Sequence, residues 1–124
     1  MKLRIQGDSL RLRLTQKEVA QLRAGSPVEA SIHFASGRSL TYAIATSADA
    51  AQVSADFDGA CIRVTLPFRT MAEWADSSQV TVAGPENEPT ALLIEKDFQC
   101  MHKPGEPDPD AYPNPLAAAL NTAR

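Results

Sequence analysis

The residues most able to do chemistry lie near the end of the ordered-looking part of the chain, in "EKDFQC", residues 95–100. Strand alternation sets Glu95 and Asp97 on one side of "TALLIEKDF" and Lys96 on the other, with Leu92 and Ile94. Two carboxylates so placed can raise each other's pKa and share a proton or a cation. They can equally pair across strands with arginines such as Arg11 and Arg63. Lys96, on the apolar side, is expected to lay its aliphatic stem over the edge of the core. Just beyond, Cys100 and His102 are separated by one residue and followed by Asp108 and Asp110. A thiol and an imidazole at that spacing can reach one soft metal ion, with carboxylates completing the shell. A Cys-His catalytic pair would also need an oxyanion pocket, for which the sequence offers no candidate.

A second chemical feature is a run of cations on alternating positions. Lys2 and Arg4, then Arg11 and Arg13, stand opposite Leu3, Ile5, Leu10, Leu12 and Leu14 in two strands of period two. Such a face could take a phosphate or another anion, or a protein partner. The candidate ligand-binding set is therefore Arg4, Arg11, Arg13, Arg63, Glu95 and Asp97, with Cys100 and His102 as candidate metal ligands. No catalytic residue is assigned and no cofactor is expected. His33 reads most simply as a strand residue, and no GxSxG, HExxH, P-loop or GxGxxG names a reaction.

The elements that position these groups follow from periodicity and turn chemistry. "KLRIQ" and "SLRLRL" form a hairpin about Gly7-Asp8, and Thr15 to Glu18 is a T-x-x-E capping box that opens a helix ended by Gly25. "VEASIHF" and "SLTYAIAT" form a second hairpin. "QVSADF" and "ACIRVTLP" follow, joined by an Asp58-Gly59 turn of expected type I′. Pro67 is expected at the first position of a second helix carrying Phe68, Met71 and Trp74, before "QVTVAG" and "TALLIEKDF". The order ββαββ thus occurs in residues 1–46 and again in 53–98.

A fixed shift of 52 residues aligns the two without a gap: Gly7 with Gly59, Leu14 with Leu66, Leu10 with Ile62, Leu22 with Trp74. The expectation is an α+β fold of internally duplicated units sharing one core. Their strands would form a mainly antiparallel eight-stranded sheet, or a barrel-like layer, with two helices. Residues 1–98 then make a single domain. The segment 99–124 is a proline-rich arm, in which Tyr112 is expected to anchor on the body or on a partner.

Composition narrows the function classes. The chain has 124 residues and a formal net charge of −3, so no overall basic field draws nucleic acid or an anionic membrane. The charge is uneven: residues 1–46 hold seven basic and three acidic side chains, and 49–98 hold three and nine. No apolar run is long enough for a signal sequence or a membrane span, and two unpaired-looking cysteines suit a reducing compartment. A cytoplasmic protein is expected, with possible self-association or a protein partner through the arm.

In combination, "RIQGDSLRLRLT", "EKDFQC" and "YPNP" resemble a bacterial family known only as a domain of unknown function. The resemblance covers nearly the whole chain and implies a bacterial, intracellular source, with no activity to carry over. More loosely, a duplicated strand-rich chain with alternating arginines is similar to the triphosphate-tunnel (CYTH) enzymes. Their first strand carries ExExK, where this chain has Lys2-Leu3-Arg4-Ile5-Gln6, without the metal-binding glutamates. The reading is a small binding or assembly protein that is not an enzyme. The alternatives are an anion- or phosphate-binding barrel and a metal-binding protein.

Overall fold

The computed structural model describes residues 1–98 together with Asp110 and Tyr112. In chain order the elements are β1 (Lys2–Gln6), β2 (Ser9–Leu14), α1 (Gln16–Arg23), β3 (Val28–His33), β4 (Ser39–Ser47) and β5 (Ser54–Phe57). They continue with β6 (Cys61–Pro67), α2 (Phe68–Ala75), β7 (Thr81–Ala83) and β8 (Ala91–Lys96). Every element expected from periodicity is present, and the fold is α+β.

The sheet arrangement differs from expectation. Instead of one eight-stranded sheet or a barrel there are two four-stranded mixed sheets, β1-β2-β8-β7 and β3-β4-β6-β5. Each joins one hairpin from the first half of the chain to one from the second. The central seams are parallel, β2 with β8 (Leu10 opposite Leu92) and β4 with β6 (Tyr42 opposite Ile62). The other four pairings are antiparallel. The reason is geometric. Each helix leaves the end of one sheet and delivers the chain to the other, so the hairpins flanking a helix cannot pair with each other. Closing one eight-stranded layer would also expose the apolar side that two stacked sheets bury.

Between the sheets lies one core drawn from both halves. Leu12, Leu14, Leu92 and Ile94 of the first sheet meet Val28, Ile44, Val64 and Leu66 of the second. Leu22 of α1 and Met71 and Trp74 of α2 close one end, each with no exposed surface. The Trp74 indole Nε1 donates to the Val80 carbonyl at 2.9 Å, so the largest buried ring also has its polar atom satisfied.

Local signals worked as their chemistry requires. The Thr15 hydroxyl accepts from the Glu18 amide at 3.3 Å, and the Glu18 carboxylate accepts from the Thr15 amide at 2.9 Å. At the far end of α1, Gly25 adopts φ +93 and the Ser26 and Gly25 amides donate to Gln21 and Leu22. This Schellman closure needs a left-handed residue, which glycine supplies at no steric cost. Two expectations need correcting. Pro67 ends β6 and stands at the N-cap of α2, with extended backbone (ψ 137), one position before the helix proper. The β5–β6 hairpin does not turn on Asp58-Gly59 as a type I′ pair, because Asp58 does not have positive φ. The left-handed residue is Gly59, and Asp58 accepts from the Ala60 and Cys61 amides at 2.9 and 2.7 Å.

Two predictions follow from the core and the cap. Trp74→Ala removes the largest buried side chain and should cost about 3–5 kcal/mol, read from the urea midpoint; a cost under about 1 kcal/mol would show that the end of the core is not packed as described. Burial pushes the Glu18 carboxyl up, but hydrogen bonds from the Met1 amino group and the Thr15 amide, with the ammonium charge, outweigh it and hold the group below its usual value. A depressed carboxylate stabilises the fold above its unfolded pKa and loses that contribution as pH falls through the folded one. The parent's advantage over Glu18→Gln should hold at neutral pH and vanish on acidification through and below the carboxylate range. Parallel acid limbs for the two proteins in thermal melts would contradict it.

Candidate functional site

The basic face is real and is built by register. The β1–β2 hairpin sets Arg4 directly opposite Arg11 and Lys2 directly opposite Arg13, on the outer side of the first sheet. Like charges directly opposite oppose strand pairing, and β8 relieves part of this. Arg11 Nε meets Glu95 Oε1 at 2.9 Å and Lys2 Nζ meets Asp97 Oδ2 at 3.0 Å. Among the described residues Arg4 and Arg13 are in no ion pair. A hollow of about 200 Å³ lies among Lys2, Leu3, Arg4, Arg11 and Arg13. Guanidinium forks so spaced suit the oxygens of a phosphate or carboxylate.

The structure therefore brings together Arg4, Arg11, Arg13, Glu95 and Asp97, but not Arg63. That residue lies in β6 opposite Asp56 of β5, in the other sheet. The parallel seams carry Glu95 to the first hairpin, so Arg63 cannot serve it. Glu95 and Asp97 neutralise Arg11 and Lys2, which is the cross-strand pairing the sequence allowed, and not a carboxylate pair sharing a proton. Lys96 turns toward the core edge as expected. Its Nζ donates to the Ser77 carbonyl at 2.7 Å and stands 5.8 Å from the centre of the Trp74 ring.

Phe98 is 64% exposed on the rim of a 440 Å³ hollow lined also by Leu14, Val19, Arg23 and Lys96. Tyr112 is 97% exposed, so it is not anchored on the body of its own chain. Cys100, His102 and Asp108 lie outside the described residues. Among those described, no group of three or more His, Cys, Asp and Glu could hold a metal, and no helix is long and apolar enough to cross a membrane.

Periodicity missed a second site, at the end of the sheets remote from both helices. There the inward-facing row continues past the core: Ile5 opposite Leu10, Phe57 opposite Ile62, and Ile32 opposite Leu40. Ile5, Phe57, Ile32 and Phe34 are 58, 59, 50 and 52% exposed. A groove of about 480 Å³ opens between the two sheets, lined by Ile5, Leu10, Leu40, Phe57 and Ile62. At the other end helices cap the core; here the described residues offer only turns. Alternation marks which residues face inward but not how far the opposing sheet extends. The available signal was position, since Ile5 and Phe57 sit within two residues of the turn glycines Gly7 and Gly59.

The rim of this groove is acidic. Asp8 and Asp56 line it, and Asp58 follows Phe57 directly. Hydrogen bonds from the Ala60 and Cys61 amides hold the Asp58 carboxyl below its usual value. An adjoining hollow of about 440 Å³ shares Asp8 and adds Glu86 and Glu88. Among the described residues neither lining includes a lysine or an arginine.

No curated protein and no solved structure matches the chain. A family model does match, over residues 1–116, which takes in both sheets and both helices. On that match the chain belongs to DUF7009, a family of unknown function.

Proposed function

We propose that this is a small bacterial intracellular binding or assembly protein, not an enzyme, and that it binds through the open apolar end between its two sheets. One observation carries the reading: an apolar groove continuous with the core, whose flanking Ile5 and Phe57 are each more than half exposed. Exposed apolar surface of this kind with a polar rim is characteristic of interaction sites. The test is a neutral apolar dye. Nile red should brighten on the native parent, and Ile5→Ser with Phe57→Ser should remove most of that signal while leaving the melting temperature close to the parent's, since both side chains are largely exposed. A dark parent, or an equally bright variant, would overturn the reading.

The register on the first sheet favours a second reading, an anion- or phosphate-ligand site at Arg4, Arg11 and Arg13. Arg4 opposite Arg11 is an arrangement that a bound anion would stabilise. Tripolyphosphate should then raise the melting temperature, because any ligand of the native state stabilises it in proportion to RT ln(1 + [L]/Kd). Arg4→Gln with Arg13→Gln should abolish the rise without lowering the unliganded melting temperature. If no phosphate compound stabilises the parent, this face is only a solvated one.

The duplication belongs with these proposals. It is supported by register: under a uniform shift of 52, Ile5 pairs Leu10 as Phe57 pairs Ile62, and Ala30 pairs Tyr42 as Val82 pairs Ile94. The parallel seams break the correspondence by two residues, since Leu10 opposite Leu92 carries over to Ile62 opposite Leu40, whereas Ile62 pairs with Tyr42. A duplicated ancestor would have been a symmetric pair of ββαββ chains with one groove on its axis. Ile5 and Phe57, equivalent under the shift, flank that groove here.

A further inference from the structure

We infer that the occupant of the groove is a cationic amphipathic segment of a partner protein, with apolar side chains on one side and lysines or arginines flanking them. This rests on the binding reading above and adds the chemistry of the partner. The floor is set by Ile5, Leu10, Leu40, Phe57 and Ile62, which offer contact area but no hydrogen bonds, so the partner must bring apolar side chains.

The rim sets the sign. Asp8 and Asp56 border the groove, and Glu86 and Glu88 border the hollow beside it, where Asp8 is shared. Positive flanks on the partner meet these carboxylates, while acidic segments and anionic lipid surfaces are repelled. Arg63 stands opposite Asp56, but the carboxylates at this end outnumber it, and the cluster of Lys2, Arg4, Arg11 and Arg13 lies elsewhere, on the outer side of the first sheet, where Lys2 and Arg11 are already paired. The two surfaces are therefore separate in place and opposite in sign. A binding event at the apolar end does not compete with one on the basic face.

The test uses the full chain and three labelled synthetic peptides of about 14 residues, long enough for an apolar stripe of several anchors. One is an amphipathic Leu/Lys peptide, one its Leu/Glu twin, and one a Lys/Ser peptide with no apolar side. By fluorescence anisotropy the Leu/Lys peptide should bind at least about tenfold more tightly than the Leu/Glu twin, and weaken as salt is raised. The Lys/Ser peptide should not bind measurably. Asp8→Asn with Asp56→Asn should weaken the Leu/Lys peptide severalfold and leave Nile red binding unchanged, while Ile5→Ser with Phe57→Ser should lose both. Equal affinity for the two amphipathic peptides, or no effect of the aspartate substitutions, overturns the cationic partner and leaves the binding reading intact. A parent that does not brighten Nile red defeats both. If the parent instead doubles its mass with concentration, the Ser variant stays monomeric and no peptide binds, the groove takes a second copy and the inference is wrong.

Discussion

The two parallel seams, β2 beside β8 and β4 beside β6, are the constraint on which the rest of the structure depends. A parallel pair cannot be closed by a turn and needs a long connection, and here the connections are most of the molecule. Each seam joins strands from different halves, so neither half owns a complete sheet. The seams bring Glu95 to Arg11 and Asp97 to the end of β2, where Lys2 can reach it. They also place Leu12 and Ile94 side by side facing Val64 and Leu66, which makes the inter-sheet core possible.

Local structure was legible in the sequence because local rules produce it. Alternation gave all eight strands, Thr15 and Glu18 gave the start of α1, and Gly25 gave its end. The pairing of hairpins was not legible. The alternating pattern in β2 is the same whether its neighbour is β3 or β8, and only the three-dimensional path of the helices decides between them. The same gap explains the site. Arg4, Arg11 and Arg13 could be placed on one face from β1 and β2 alone, but whether Arg11 or Arg63 would meet Glu95 depended on the seam. The apolar groove was hidden for a related reason, since Phe57 and Leu66 look alike in an alternating strand although one is 59% exposed and the other fully buried. Lys96 was read correctly because a charged group on an apolar face has few options: its stem packs and its ammonium must find an acceptor.

Charge and apolar surface are distributed so that the two candidate surfaces stay apart. Where cations gather, the sheet is continuous and the apolar side is covered by the opposing sheet. Where apolar side chains emerge, carboxylates outnumber the nearby cation Arg63, which stands opposite Asp56. The helix end is closed: Leu22, Met71 and Trp74 fill it and Arg23 clasps Asp76 with its Nε 3.1 Å from each carboxylate oxygen. Arg23 also stands 5.6 Å above the Phe68 ring, so α1 and α2 are joined by a side chain that shields an exposed aromatic.

The hairpin exchange has a consequence for synthesis of the chain. The second sheet is contiguous, running from Val28 to Pro67, whereas the first combines the first and last strands of the body, Lys2–Leu14 and Thr81–Lys96. On the ribosome, the second sheet can assemble as soon as β6 has cleared the exit tunnel. The N-terminal hairpin emerges first yet stays without its parallel neighbour until β8 is made. During that interval its inner row of leucines is open to water, and Arg11 and Arg13 between them are charges of the kind that oppose aggregation of an exposed apolar strand.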